Sequence, residues 1–226
     1  MEIIKCFLYD NDCMKTGQEC VQTGIVLHST GANNPNLSRY VQPSKFDEDY
    51  DYLMYRIGVN KYNNSWNRSG VKKCVHYMIG YDANQIVSCV QTLPNDICAW
   101  GCGSGKYGSF NYPPNAHIQI ECCEDNMKNK EYFDCVYNTL VDLCSYLCNE
   151  LNLSPNSITT HHQAHLLEYA SNHADIDKWF NVYTVSLPKF IEDVKERMKN
   201  YKEKQFNITV KDGINEYRIK GTIERI

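Results

Sequence analysis

The sequence predicts an α/β protein: a mixed central β-sheet flanked by helices, with a β-hairpin appended at the C-terminal end. Three observations carry this. Short β-branched or alternating runs at 24–28, 75–80, 86–90, 116–121 and 158–160 read as strands. Amphipathic stretches at 131–151 and 187–201 read as helices with a stripe wide enough to cover a sheet. Asp82-Ala83-Asn84-Gln85 turns one strand straight back onto the next, so hairpin and crossover connections mix.

Taken in order, residues 1–23 carry turn formers at Asn11-Asp12 and Gly17 and read as a lead-in strand or arm. Gly24-Ile25-Val26-Leu27-His28 is the first clear strand, followed by the polar loop 29–35. Pro43-Ser44 is expected to open a helix ending at Gly58, with Tyr50, Leu53, Met54 and Ile57 on its buried face. The loop 63–70 leads to Val75-His76-Tyr77-Met78-Ile79-Gly80 and its antiparallel partner Ile86-Val87-Ser88-Cys89-Val90. The glycine-dense stretch 99–105 is a loop. From Ala116 to Glu121 the pattern alternates, Ile118 and Ile120 facing one side and His117, Gln119 and Glu121 the other. Phe133, Val136, Tyr137, Leu140, Cys144, Leu147, Cys148 and Leu151 form the apolar stripe of the longest helix. Ile158-Thr159-Thr160 is a strand stopping on a histidine pair. Ser186-Leu187-Pro188 starts a helix whose inward face is Phe190, Ile191, Val194, Met198 and Tyr201. Residues 206–210 and 216–220 flank Asp212-Gly213, a hairpin signal. The expected division is a main domain over 1–204 and a hairpin extension over 205–226.

The 226 residues suit one domain with an appendage, and 42% hydrophobic content suffices for its core. A net charge of −4 lacks the signature of a nucleic-acid binder. No run approaches the roughly 20 apolar residues of a membrane span. From Lys189 onward ten Lys/Arg stand against seven Asp/Glu. That mildly basic tail reads as a solvated helix and hairpin, or as a feature drawn to a polyanionic surface. An exposed hairpin edge also invites a second copy, so a homodimer contact is expected through 205–226, which the solution mass of the intact chain would show. Twelve cysteines would fit a disulfide scaffold only with a short chain and a signal peptide. Met1-Glu2-Ile3-Ile4-Lys5 is charged at once, with no apolar run behind it. Synthesis in the cytoplasm is therefore expected, with most thiols reduced and packed as small hydrophobes; a disulfide among Cys6, Cys13 and Cys20 stays open.

The chemistry concentrates in the histidines. His28 and His161 both stand at strand ends, where ligands of α/β sheets gather. His173-x-Asp175 follows a dozen residues after the second strand end. Two imidazoles and the Asp175 carboxylate make a three-ligand zinc site with one open position, and imidazole nitrogen favours zinc over magnesium or calcium. In a strand His161 and His162 would point to opposite faces, so one of them faces the ion. His76, His117, His162 and His165 read as ordinary structural histidines. The chain has no C-x-x-C pair for a structural zinc site. A Cys–His nucleophile built on Cys122 or Cys123 is the competing chemistry.

Six motifs occur together between about residues 24 and 180: Ile25-Val26-Leu27-His28-Ser29-Thr30-Gly31, Val75-His76-Tyr77-Met78-Ile79-Gly80-Tyr81-Asp82, Ala99-Trp100-Gly101-Cys102-Gly103, Ile118-Gln119-Ile120-Glu121-Cys122-Cys123-Glu124-Asp125, Thr160-His161-His162 and Ser171-Asn172-His173-Ala174-Asp175. In this order they resemble the type 2 N-acetylmuramoyl-L-alanine amidases, the family of phage lysozyme-type amidases and peptidoglycan recognition proteins, in its Gram-positive autolysin and prophage endolysin branch. The resemblance implies zinc held by His28, His161 and Asp175, Glu121 as general base, and His173 donating to the oxyanion. It implies cleavage of the muramoyl–L-alanine amide of peptidoglycan, at the cell wall after release from the cell. Trp100 and Tyr107, with the 103–108 loop, are the expected substrate contacts. Two departures stand out: Val75 replaces a tyrosine of some relatives, and the usual Ala-Trp-His reads Ala99-Trp100-Gly101. Two other readings share the pattern: a peptidoglycan-binding module that does not cut, and a cytoplasmic amidase recycling soluble muropeptides.

Overall fold

A computed structural model describes residues 2–203, 205–212 and 215–222, with side chains for 2–199. The elements run β1 (Ile3–Lys5), α1 (Asp12–Thr16), β2 (Gly24–Ser29), α2 (Tyr50–Ile57), β3 (Tyr77–Tyr81), β4 (Val87–Gln91), β5 (His117–Cys122), α3 (Lys130–Glu150), β6 (Ile158–Thr160), α4 (His161–Leu166), α5 (Asp177–Val182), α6 (Leu187–Glu203), β7 (Gln205–Asp212) and β8 (Asn215–Thr222). Six strands form one mixed sheet in the order β1-β4-β3-β5-β2-β6. Only the β3–β4 pair, joined by the Asp82 turn, is antiparallel; every other pairing is parallel. β7 and β8 pair antiparallel as a separate sheet. Gly213 of the expected turn, and the inward face expected of Tyr201, lie outside the described residues.

The sheet works as a divider. Ile25 and Leu27 of β2 and Ile118, Ile120 and Cys122 of β5 point to one face. There they meet Phe133, Val136, Leu140, Cys144 and Leu147 of α3, with Trp179, Phe190 and Val194 beyond. Each such fully buried Leu or Phe side chain contributes about 1.5–3 kcal/mol. Asn129 starts α3 because its side chain accepts the Tyr132 N–H at 3.1 Å. Val26, His28, Gln119 and Glu121 take the opposite face by the same alternation.

Two expectations change. The helix after Pro43 begins only at Tyr50; residues 44–49 make tight turns, with Asp47 N–H to Ser44 C=O and Tyr50 N–H to Asp47 C=O. Its inward Leu53 and Ile57 are as expected. A disulfide exists, but Cys13 pairs with Cys74, 61 residues away, rather than with Cys6 or Cys20. Such a pairing is invisible locally because the fold supplies it. Of the free cysteines, Cys135 is exposed, Cys20 half-buried and the others buried. Burial pushes the Cys6 thiol up to about 12, and Cys122 and Cys123 well above the usual thiol range, with the Cys123 and Glu121 charges adding at Cys122 and Glu121 at Cys123. Thiols so placed are poor nucleophiles, which removes the Cys–His chemistry.

His76 is fully buried as the neutral imidazole. Its Nδ1 accepts the Gln119 N–H at 2.9 Å and its Nε2–H donates to the Ile97 carbonyl at 2.8 Å. Burial depresses it to about 4, against 6.5 when exposed. Above pH 6.5 both folded and unfolded chains hold it neutral. Between there and pH 4 the unfolded chain takes a proton that the folded one refuses. Stability should therefore fall by about 1.4 kcal/mol per pH unit, about 3 kcal/mol in all. Urea unfolding of the native protein and His76→Gln at pH 7 and 4.5 checks this. Equal acid losses in the two proteins would remove the assignment.

Candidate metal centre

The site lies at the carboxyl ends of three adjacent parallel strands. β2 and β5 pair with His28 opposite Glu121, and β2 and β6 with Leu27 opposite Thr160. His28 thus ends beside the residue after β6, which is His161. Thr160 leaves the strand as the N-cap of α4, its hydroxyl accepting the Gln163 N–H at 3.2 Å. His161 and His162 therefore open a helix rather than continue a strand. His161 turns inward, 3% exposed, while His162 stays half-buried outside the cluster.

Asp175 arrives from the loop before α5. The next residue, Ile176, has φ 53° and ψ −44°, a conformation a β-branched residue avoids. Two anchors hold it there. Its side chain is fully buried in the main core. Its N–H donates to Ser29 Oγ at 2.8 Å, and Ser29 Oγ–H in turn donates to Glu124. Asp175, just before this strained residue, brings its carboxylate to His28 on β2.

Three ligand atoms converge: His28 Nδ1 and His161 Nδ1 are 3.1 Å apart, and Asp175 Oδ2 lies 3.1 Å from the first and 3.3 Å from the second. Among the described residues, this is the group of His, Cys, Asp and Glu atoms close enough to hold one ion. The far nitrogens set the tautomers. His28 Nε2–H donates to Gln119 Oε1 at 2.6 Å. His161 Nε2–H points to Ser171 Oγ at 3.4 Å, and that hydroxyl donates to the Cys102 carbonyl at 3.2 Å. Both Nδ1 lone pairs then face a carboxylate oxygen, a cluster of acceptors with no proton among them. A tetrahedral ion about 2.0–2.1 Å from each ligand would set such atoms about 3.3 Å apart, so the donors fit zinc. Asp175 Oδ1 is buried without a hydrogen-bond partner, a further sign of a group built to meet a cation.

A cleft of about 700 Å³ opens over these atoms. Glu121 and His173 both line it. Burial raises the Glu121 carboxyl well above its ordinary value; the Asp175 charge adds to this and Lys73 opposes it. His173 is exposed, stacks on His161 with ring centroids 4.7 Å apart, and brings Nδ1 to 3.9 Å from Asp175 Oδ1. The structure thus gathers five of the seven residues singled out from the sequence. Trp100 and Tyr107 stand apart. Trp100 lines a separate depression with Asp12, Lys15 and Lys72, and Tyr107 is an exposed neighbour of Tyr169. Cleft residues that the sequence reading passed over are Arg39, Tyr40, Trp66 and Lys73. Tyr40 and Trp66 pack edge to face, and the Lys73 ammonium sits 5.1 Å from the Trp66 ring centre. Gln119 was passed over too, although its side of the β5 alternation pointed to it.

The model of the N-acetylmuramoyl-L-alanine amidase family matches residues 18–177, well over half of the chain. No curated protein matches it. Among solved structures, the chain is similar to the Staphylococcus aureus hydrolase AmiA in complex with its ligand, at 17% identity and TM-score 0.55 over 88% of this chain and 83% of that one. The PlyG catalytic domain gives 21% and 0.54 over 88% and 96%. A mutant endolysin from Bacillus subtilis gives 18% and 0.53 over 86% and 99%. Identities this low establish a shared fold and no more. The extent of the family match, on a chain whose strand ends bring two imidazoles and a carboxylate together under a broad cleft, makes this protein a member of the N-acetylmuramoyl-L-alanine amidase family.

Proposed function

We propose that the chain hydrolyses the amide between the lactyl group of N-acetylmuramic acid and L-alanine in peptidoglycan, with a zinc ion held by His28 Nδ1, His161 Nδ1 and Asp175 Oδ2. The convergence of those three atoms beneath an open cleft carries the reading. When bound, zinc supplies a Lewis acid with one open position, able to polarise a carbonyl and acidify water. Glu121, on the β5 end facing His28, takes the proton from the attacking water and passes it to the leaving amine. Its buried surroundings suit the task, because a base must hold a proton briefly at neutral pH. His173, at the mouth of the cleft, donates to the oxyanion as the carbonyl becomes tetrahedral. The buried rings of Tyr40 and Trp66 form part of the cleft wall against which glycan or stem peptide would lie. Arg39, Lys73 and Lys178 give the cleft cations for the carboxylates of a peptide stem. The place of action on this reading is the cell wall.

Purified walls incubated with the protein should gain free L-alanine amino termini, which end-group labelling detects. A chelator should stop the release and added zinc restore it. Release from soluble muropeptides alone would move the assignment to a recycling amidase. Sedimentation with walls, without new amino termini from either substrate, would leave a binding module and sink the hydrolytic reading.

A further inference from the structure

Gln119 occupies an unusual place. It is a fully buried amide on β5, two residues before Glu121 and level with Val26 of β2. Its Oε1 takes the His28 Nε2–H at 2.6 Å. Its Nε2 donates to the carbonyls of Phe110 at 3.2 Å and His117 at 3.4 Å, which fixes which end of the amide faces His28. Its backbone N–H is held by His76 Nδ1. The side chain therefore has one orientation, with an acceptor aimed at a metal-site imidazole.

Gly101 explains how the amide fits. A Cβ at that position would stand 3.0 Å from Gln119 Oε1 and 3.3 Å from its Cβ and Cδ. The Gly101 and Cys102 N–H groups both bind Asn111 Oδ1 at 3.1 Å, so the loop backbone is pinned against the amide. The space beside residue 101 is filled from β5 instead of from the loop. This close approach leaves room at residue 101 for glycine but little for a side chain.

We infer that Gln119 is a positioning residue for the metal centre: it locks His28 in the Nε2–H tautomer with Nδ1 free to bind the ion, and Gly101 is the clearance that lets it do so. The inference rests on the proposed zinc site. Outer partners of this kind typically change metal affinity by about 10–100-fold. Gln119→Leu keeps much of the volume and removes the acceptor. Gln119→Glu keeps an acceptor for the Nε2–H but loses the donors to the Phe110 and His117 carbonyls. Gly101→Ala leaves Gln119 intact and crowds it. Zinc dissociation constants, measured by competition with a chromophoric chelator, should weaken about 10–100-fold in the Leu variant and less in the Glu variant. The Ala variant should fall between them. The cobalt(II)-loaded Leu variant should show an altered ligand-field spectrum. Its metal-free unfolding midpoint should drop less than its zinc-loaded one, whereas a purely structural role lowers both alike. Native affinity in Gln119→Leu overturns the inference. Should that variant fail to fold, Gly101→Ala decides, and native affinity there overturns it equally. Absence of zinc binding by the native protein would instead sink the proposed function.

Discussion

Replacing Asp175 with Ala should abolish stoichiometric zinc binding and reduce the release of L-alanine amino termini to background. The carboxylate is one of three ligand atoms and supplies the single negative charge among them. Without it two neutral imidazoles face the ion, and a two-ligand site binds zinc far more weakly than a three-ligand one. The loss of affinity should exceed the roughly 100-fold that a missing outer partner costs. Asp175→Asn separates charge from shape: it keeps the side-chain volume beside the strained Ile176 and loses only the anion, so its metal loss should approach that of the Ala variant. Metal content after dialysis, read with the amino-terminus assay, tests both. One zinc per chain retained by Asp175→Ala would dissolve the site as described.

Much of this architecture was legible because it is written in local period. The stripe from Phe133 to Leu147 needs only a 3.6-residue repeat to be read, and α3 follows it closely. The β5 alternation put Ile118 and Ile120 opposite Glu121, and the sheet obeys. His28 and His161 were visible as strand-end histidines, and parallel pairing brings them to one edge. What stayed hidden depends on partners distant in sequence. The late start of α2 reflects turns that stand where Pro43-Ser44 promised helix. The Cys13–Cys74 bond joins segments 61 residues apart. The Nε2 atoms of His28 and His161 meet Gln119 and Ser171, contacts between separate elements that leave both Nδ1 atoms facing Asp175. Aromatics beside glycines suit a binding loop, and this is what points to Trp100 and Tyr107 in the sequence. That loop reaches the cleft at Gly101, while Trp100 lines a separate depression and Tyr107 lies exposed beside Tyr169; Tyr40 and Trp66 are the aromatics at the cleft wall.

Glu121→Gln should leave zinc binding intact and lower turnover by about 10²–10⁴-fold, the range for a lost general base. Gln preserves the shape and hydrogen-bonding reach of the side chain but cannot accept the proton. A fall in kcat with little change in KM is expected, since the loss is felt as the proton moves. Glu121→Asp tests placement: one methylene shorter, it keeps the base but withdraws it by about 1 Å, a misplacement that can cost about 100-fold. The acidic limb of the rate profile gives an independent check. Burial holds the Glu121 carboxyl high, and the Lys73 charge pulls it down. A base works only when deprotonated, so activity should fall as pH drops through its pKa. Lys73→Ala removes the opposing charge, raises that pKa further and should shift the acidic limb toward higher pH. A Glu121→Gln variant with near-native turnover, or an acidic limb indifferent to Lys73, would assign the proton transfer to another group.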